Sequence, residues 1–185
     1  MVAAQSTAAG VGTWQIDPGH AVVEFSGKHM MFSTVKGRFQ GVQGTVAWNE
    51  ADPANSRVVA EIDAASLVSG SNDRDTHLRS ADFLDVETYP TIRFESVRIE
   101  PQGADRARVV GNLTIKDVTR PVELDARLTG RGRSPWGQEI AGFAATTSIN
   151  RKDWGLTWNV ALEAGGWLVG DKLDLSLDFE AVKQG

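Results

Sequence analysis

Three histidines, His20, His29 and His77, are the side chains best suited to acid–base or metal chemistry in this sequence. No two stand in a tight ligand spacing such as His-x-x-x-His. The chain has no cysteine, which excludes thiol nucleophiles, disulfides, Cys-based zinc sites and iron–sulfur clusters. It has no Gly-x-Ser-x-Gly elbow, no P-loop and no dinucleotide fingerprint. Most of the 24 Asp and Glu residues alternate with apolar ones and so belong to a wet strand face. A general acid–base pair needs a carboxylate inside the fold, and the alternation offers no clear candidate. The expectation is no catalytic residue, no metal and no cofactor. The densest polar group is Arg74-Asp75-x-His77-Leu78. As a functional group, Arg74 or His77 would greet a ligand headgroup. As a structural one, they cap a helix and pin it to the rest of the fold. Capping and ion pairing are sufficient explanation, and the structural role is favoured.

The elements that position these residues are strands. Val58, Ala60, Ile62 and Ala64 alternate with Glu61 and Asp63 over Arg57–Ala64. Ala107, Val109, Gly111, Leu113 and Ile115 share one face of Arg106–Lys116. Val122, Leu124, Ala126 and Leu128 alternate with Glu123, Asp125 and Arg127. Leu173, Leu175, Leu177 and Phe179 alternate with Asp174, Ser176, Asp178 and Glu180. One wet and one dry face is the mark of antiparallel sheets. Further strands are expected at His20–Lys28, Gly37–Trp48, Thr91–Glu100 and Glu139–Ile149, after an opening segment Thr13–Asp17 and a turn at Pro18-Gly19. About eight strands result, and closing them into a barrel removes the exposed edges. Asn72–Leu84 reads instead as a short helix, with Asn72 as N-cap, an Asp75–Arg79 pair, and Leu78 and Ala81 on one face. The fold class is all-β, an antiparallel barrel with a helix near 72–84 over one side or mouth.

Many small residues fall on the faces assigned to the interior: Ala60, Ala64, Ala107, Gly111, Ala126, Gly142 and Ala144. An eight-stranded barrel is just wide enough for large side chains to fill it, or for a ligand to take their place. Either Phe25, Phe39, Phe94 and facing Leu residues occupy that space, or a ligand does. Strands of about ten residues rise roughly 33 Å, so a cavity along them suits a chain-like apolar molecule. The expected contact set is Val23, Phe25, His29, Met30, Phe32, Phe39, Ala60, Ile62, His77, Leu78, Phe83, Phe94, Gly111, Leu113, Leu124, Ala126, Phe143, Trp154 and Trp158. Met30, Phe32, Trp154 and Trp158 are expected near an opening, because Lys28–Lys36 and Asn150–Asn159 break the alternation as barrel rims do.

Composition bounds the partners. The 185 residues suffice for one domain with a sizeable core. A net charge of −5 argues against a nucleic-acid partner and against docking on anionic membranes through a basic patch. No apolar stretch is long enough for a spanning helix, so stable membrane insertion is not expected. Residues 1–12 are rich in Ala, Ser and Gly, without a basic start or an apolar run. They are expected to be a disordered tail before a domain over 13–185, and the location is expected to be cytoplasmic.

The order of motifs resembles the YceI-like family. Trp14-x-Ile16-Asp17-Pro18-x-His20-x-x-Val23-x-Phe25 is similar to its first strand. Lys28-His29-Met30 and Val35-x-Gly37-x-Phe39 follow. The strongest match is Arg74-Asp75-x-His77-Leu78-Arg79-Ser80-x-Asp82-Phe83-Leu84-Asp85, then Tyr89-Pro90-x-Ile92-x-Phe94. Gly111-x-Leu113-Thr114-Ile115, Arg151-Lys152-Asp153-Trp154-Gly155 and Val169-Gly170-Asp171 complete it. The resemblance implies a lipocalin-like barrel with a long apolar tunnel, binding polyisoprenoids, isoprenoid quinones or other long amphiphiles. Many relatives are periplasmic. The expected function is a non-catalytic carrier of such a lipid. The alternatives are an enzyme isomerising or cyclising it through His29, His77 or Arg74, and a dimeric barrel whose cavity is incidental.

Overall fold

The computed structural model describes residues 10–185. The alternating segments form β1 (Val11–His29), β2 (Ser33–Phe39), β3 (Val42–Asn49), β4 (Arg57–Asp63), β5 (Leu67–Val68), β6 (Thr91–Pro101), β7 (Arg106–Ile115), β8 (Val118–Arg133), β9 (Glu139–Asn150) and β10 (Val169–Lys183). One helix, α1 (Asn72–Arg79), lies between β5 and β6. Every pairing is antiparallel. Strands β1, β3, β4, β6, β7, β8, β9 and β10 follow one another around a ring, and β10 returns to pair with β1. This is a closed eight-stranded barrel of the lipocalin kind with one short helix. The short pair β2–β5 extends it beside the C-terminal half of β1. No helix among the described residues is long and apolar enough to cross a membrane.

Several local expectations are corrected. Residues 1–9 of the expected tail lie outside the described residues, but Val11 and Gly12 already pair with Asn49 and Trp48. The sheet therefore begins two residues before the expected boundary at 13. Pro18-Gly19 is not a turn between strands. It is a bulge inside β1, where the register passes from Ile16 opposite Ala181 to Ala21 opposite Phe179. Bulges of this kind bend a strand without ending it. The Asp17 carboxylate holds the bulge, accepting the Gly19 N–H at 2.9 Å and meeting His20 Nδ1 at 2.8 Å. Gly37–Trp48 is two strands, because the Ser66 hydroxyl draws off the N–H groups of Gln40 and Gly41 and breaks the ladder there.

The helix is shorter than expected. Ser71, not Asn72, is its N-cap, and it ends at Arg79, where the Ser80 hydroxyl donates to the His77 carbonyl at 2.7 Å. The Asp75–Arg79 pair does not form. Buried Asp75 accepts from the N–H and hydroxyl of Ser69, while Arg79 donates to the carbonyls of Ala65 and Leu67. With the helix over, Ala81 is exposed and does not share the half-buried face of Leu78. Gly142 and Ala144 pair with Glu180 and Asp178, so they belong to the outer face of β9. Its inner face carries Ala141, Phe143 and Ala145.

Candidate ligand lumen

The inner faces enclose an apolar lumen with a cavity of about 250 Å³. Ala60 of β4, Ala107 of β7, Ala126 of β8 and Ala145 of β9 face it, and their small side chains leave the space that larger ones would fill. Val23, Val46, Ile62, Phe94, Val109, Leu113, Leu124 and Leu175 complete much of the wall. At one end the lining changes character. Glu50, Pro53, Pro101, Gly103, Asp105, Arg106 and Arg131 are partly or fully exposed there, so the lumen opens between the β3–β4 and β6–β7 loops and the base of the β8–β9 hairpin. Trp48 stands inside this mouth, its ring 5.4 Å from Phe143, which stacks on Phe179 at 5.3 Å.

The other end is plugged. Trp154 is buried and donates its indole N–H to the Leu113 carbonyl at 2.9 Å. Trp158 lies 4.5 Å from His77 and 5.3 Å from Phe83, ring centre to ring centre. Leu84 and Leu156 are buried with the core. Arg151, only 2% exposed, ties this segment down by donating to the carbonyls of Leu156, Trp158 and Gly170, with Asp171 at 3.6 Å. Burial pushes the Arg151 pKa down, opposed by the charge of Asp171.

The expected contact residues do not all reach the lumen. Val23, Ala60, Ile62, Phe94, Leu113, Leu124, Ala126 and Phe143 line the lumen. Phe25 and Phe39 pack on each other at 5.7 Å and do not reach the cavity. His77, Leu78, Phe83, Trp154 and Trp158 belong to the plugged end, so the opening expected beside Trp154 and Trp158 is at the opposite end of the barrel. His29 closes β1 at the plugged end, where Met30 and Phe32 are exposed on the β1–β2 turn. Met30 and Met31 hold positive φ there, of 50° and 70°. The residues that sequence alone did not single out are Trp48, Glu50, Arg131 and Phe179. Phe179 was on a recognised dry face, and its neighbours in the alternation could have led to it.

Gly111 is small for a reason other than a ligand. A Cβ there would meet the Phe94 ring at 2.5 Å and the Glu95 carbonyl at 2.6 Å. Phe94 lies across the glycine from the neighbouring strand, as Phe25 lies across Gly37. Gly111→Ala is expected to lower stability by about 1–3 kcal/mol through overpacking, read from a denaturant midpoint. An unchanged midpoint would mean the ring does not depend on the glycine.

Arg74 donates to the hydroxyl and carbonyl of Ser69, and His77 Nε2 meets Asp82 at 2.8 Å. These are bracing contacts, and neither residue nor His29 lines the lumen. Among the described residues, Asp17, His20 and Glu180 form the one group of three that could hold a cation. They sit on the outer surface at the bulge. The hydrogen bond that the His20 imidazole donates to Asp17, with the charge of Glu180, holds its pKa above the ordinary value.

A family model for the YceI-like domain matches residues 14–181. The chain belongs to the YceI-like family. A UPF0312 protein of Pseudomonas putida (strain W619) is 39% identical over 165 residues, covering 89% of this chain and 82% of that one. A Campylobacter jejuni YceI protein of known structure is 27% identical, with a TM-score of 0.72 over 85% of this chain and 90% of that one. A polyisoprenoid binding domain from Saccharophagus degradans superposes with a TM-score of 0.67 over 94% of this chain and 99% of that one. At 13% identity it shares the fold alone. The YceI-like assignment agrees with the expectation of a non-enzyme, but not with the cytoplasmic one. YceI and UPF0312 homologues are typically periplasmic, secreted proteins. That expectation rested on the composition of residues 1–12, which describes that stretch and not the compartment in which the barrel works.

Proposed function

We propose that this YceI-like protein carries a long-chain polyisoprenoid or isoprenoid-quinone-like lipid in its lumen without transforming it. The observation that carries the reading is an apolar cavity walled by alanines, open at one charged rim and plugged at the other end. Such a site takes an apolar chain tail-first and leaves its polar head at the rim. Burial of the chain drives binding at roughly 0.8 kcal/mol per CH₂, offset in part by ordering a flexible molecule. The chain's share of the affinity should therefore change little with ionic strength.

Two measurements test this. Organic extraction of the purified protein followed by mass spectrometry should recover an intact prenyl lipid, whereas a converted product would support the enzyme alternative. Titration of delipidated protein with such a lipid should shift tryptophan emission, and Trp48→Phe should remove most of the shift, since Trp48 lines the lumen while Trp154 is sealed in the plug. A protein that neither retains nor takes up a long-chain lipid is a barrel with an incidental cavity.

A further inference from the structure

The mouth of the lumen is shaped by a bulge in β8. Along that strand Val122, Leu124, Ala126 and Leu128 point inward at period two. Continued regularly, the next inward residue would be Gly130. The register instead slips between Leu128, opposite Phe143, and Gly130, opposite Gly142. Inserting one residue at Thr129 reverses the alternation beyond it, as a bulge does when it re-aims a side chain. Arg131 now stands opposite Ala141, on the inner face of β9, and lines the lumen.

An arginine turned into the rim of an apolar cavity needs an acceptor. Arg131 finds one across the opening: its guanidinium donates to Glu50 at 2.6 Å. Glu50 follows the end of β3, and β3 and β8 stand four places apart in either direction around the ring of eight. The pair thus straps opposite walls of the barrel together. The guanidinium also lies over the Trp48 ring, 4.8 Å from its centre. Both partners are about half exposed, at 51% and 42%, and an exposed pair of this kind is weak enough to be exchanged. Glu50 takes one of the five N–H donors a guanidinium carries.

We infer that Arg131 is the specificity-determining residue of this lumen, recognising an oxyanion headgroup, a carboxylate or phosphate, at the end of the bound chain. Glu50 stands in for that headgroup in the empty protein. An incoming anionic amphiphile displaces Glu50 from Arg131, opens the strap, and seats its head over Trp48 with its chain below. A cationic headgroup finds no such exchange and meets the guanidinium as a like charge. The inference rests on the carrier reading, since it assigns the polar end of the same ligand.

The test uses probes with one chain and different heads: hexadecanoate, hexadecyl phosphate, hexadecanol and hexadecylamine, titrated into delipidated wild type, Arg131→Gln and Glu50→Gln. Wild type should bind one or both anions about tenfold more tightly than the alcohol, the margin of a charge-assisted hydrogen bond, and the amine least. The two anions separate a carboxylate-fitting mouth from a phosphate-fitting one. Arg131→Gln should lose the anion preference with alcohol affinity unchanged. Glu50→Gln should strengthen anion binding by removing the competitor. Equal binding of acids and alcohol by wild type, or a preference that survives Arg131→Gln, overturns the inference while leaving the carrier reading intact. Failure of all four probes to bind overturns the inference, and the carrier reading falls with it if the delipidated protein also takes up no prenyl lipid.

Discussion

Replacing Arg151 by alanine is expected to lower the melting temperature by about 6–12 °C, the equivalent of roughly 3 kcal/mol or more in a domain of this size. The side chain is almost wholly buried and donates to four backbone carbonyls, of Leu156, Trp158, Val169 and Gly170. Removing it orphans those acceptors, and each buried unsatisfied carbonyl costs about 1–3 kcal/mol before relaxation admits water. Val169 is spared, because its carbonyl also accepts from Asn159 at 2.7 Å. The loss is larger than for any surface pair in the molecule because the contacts are not redundant. They are what folds residues 155–169 over the plugged end of the barrel. Arg151→Lys should fall between the two, since an ammonium cannot span the same fork of acceptors. Hydrogen exchange should show the loss of protection confined first to the segment after Gly155. A variant melting within about 2 °C of wild type, well short of that fall, would mean that Trp154 and the buried leucines hold the plug without the guanidinium.

The contrast between Arg151 and Arg131 explains what could be read from the sequence. Period two exposed nearly every barrel strand, because each buries one face and wets the other. It also placed Ala60, Ala126 and Leu124 correctly toward the lumen. It failed wherever a bulge changes the parity. The slip at Thr129 turns Arg131 inward, and nothing in the residue types Leu128-Thr129-Gly130-Arg131 announces it. The insertion at Asp17–His20 keeps as one strand what Pro18-Gly19 suggested were two. Gly142 and Ala144 were placed by their size rather than by their partners, and register with Glu180 and Asp178 puts them outside. The rim was misplaced for a different reason. Broken alternation near Trp154 and Trp158 marks the end of a barrel, but a plug and a mouth break it equally. Only long-range contacts, Trp154 to Leu113 and Arg151 to Gly170, distinguish them.

Ala126→Phe is expected to abolish lipid binding while leaving the empty protein as stable as wild type or more so. Ala126 pairs with Ala107 on one side and Ala145 on the other, so three alanines from adjacent strands share one level of the lumen wall. All three line the cavity. A phenyl ring at 126 therefore projects into open space rather than into packed neighbours. It gains apolar burial at roughly 25 cal/mol per Å² without displacing Leu124 or Leu128, which lie on the same face one register step away. The same ring stands between the mouth at Trp48 and the deeper lumen, so a chain entering from the rim cannot pass. Gly111 marks where this argument does not apply: its space is already taken by Phe94, and enlarging it costs stability without reporting on a ligand. If the wall at Ala126 were in truth closely packed, the substitution would cost about 1–3 kcal/mol and the melting temperature would fall. Thermal melts of delipidated wild type and variant give the sign, and mass spectrometry of organic extracts gives the retained lipid. A destabilised variant that still carries lipid would place the bound chain somewhere other than the lumen.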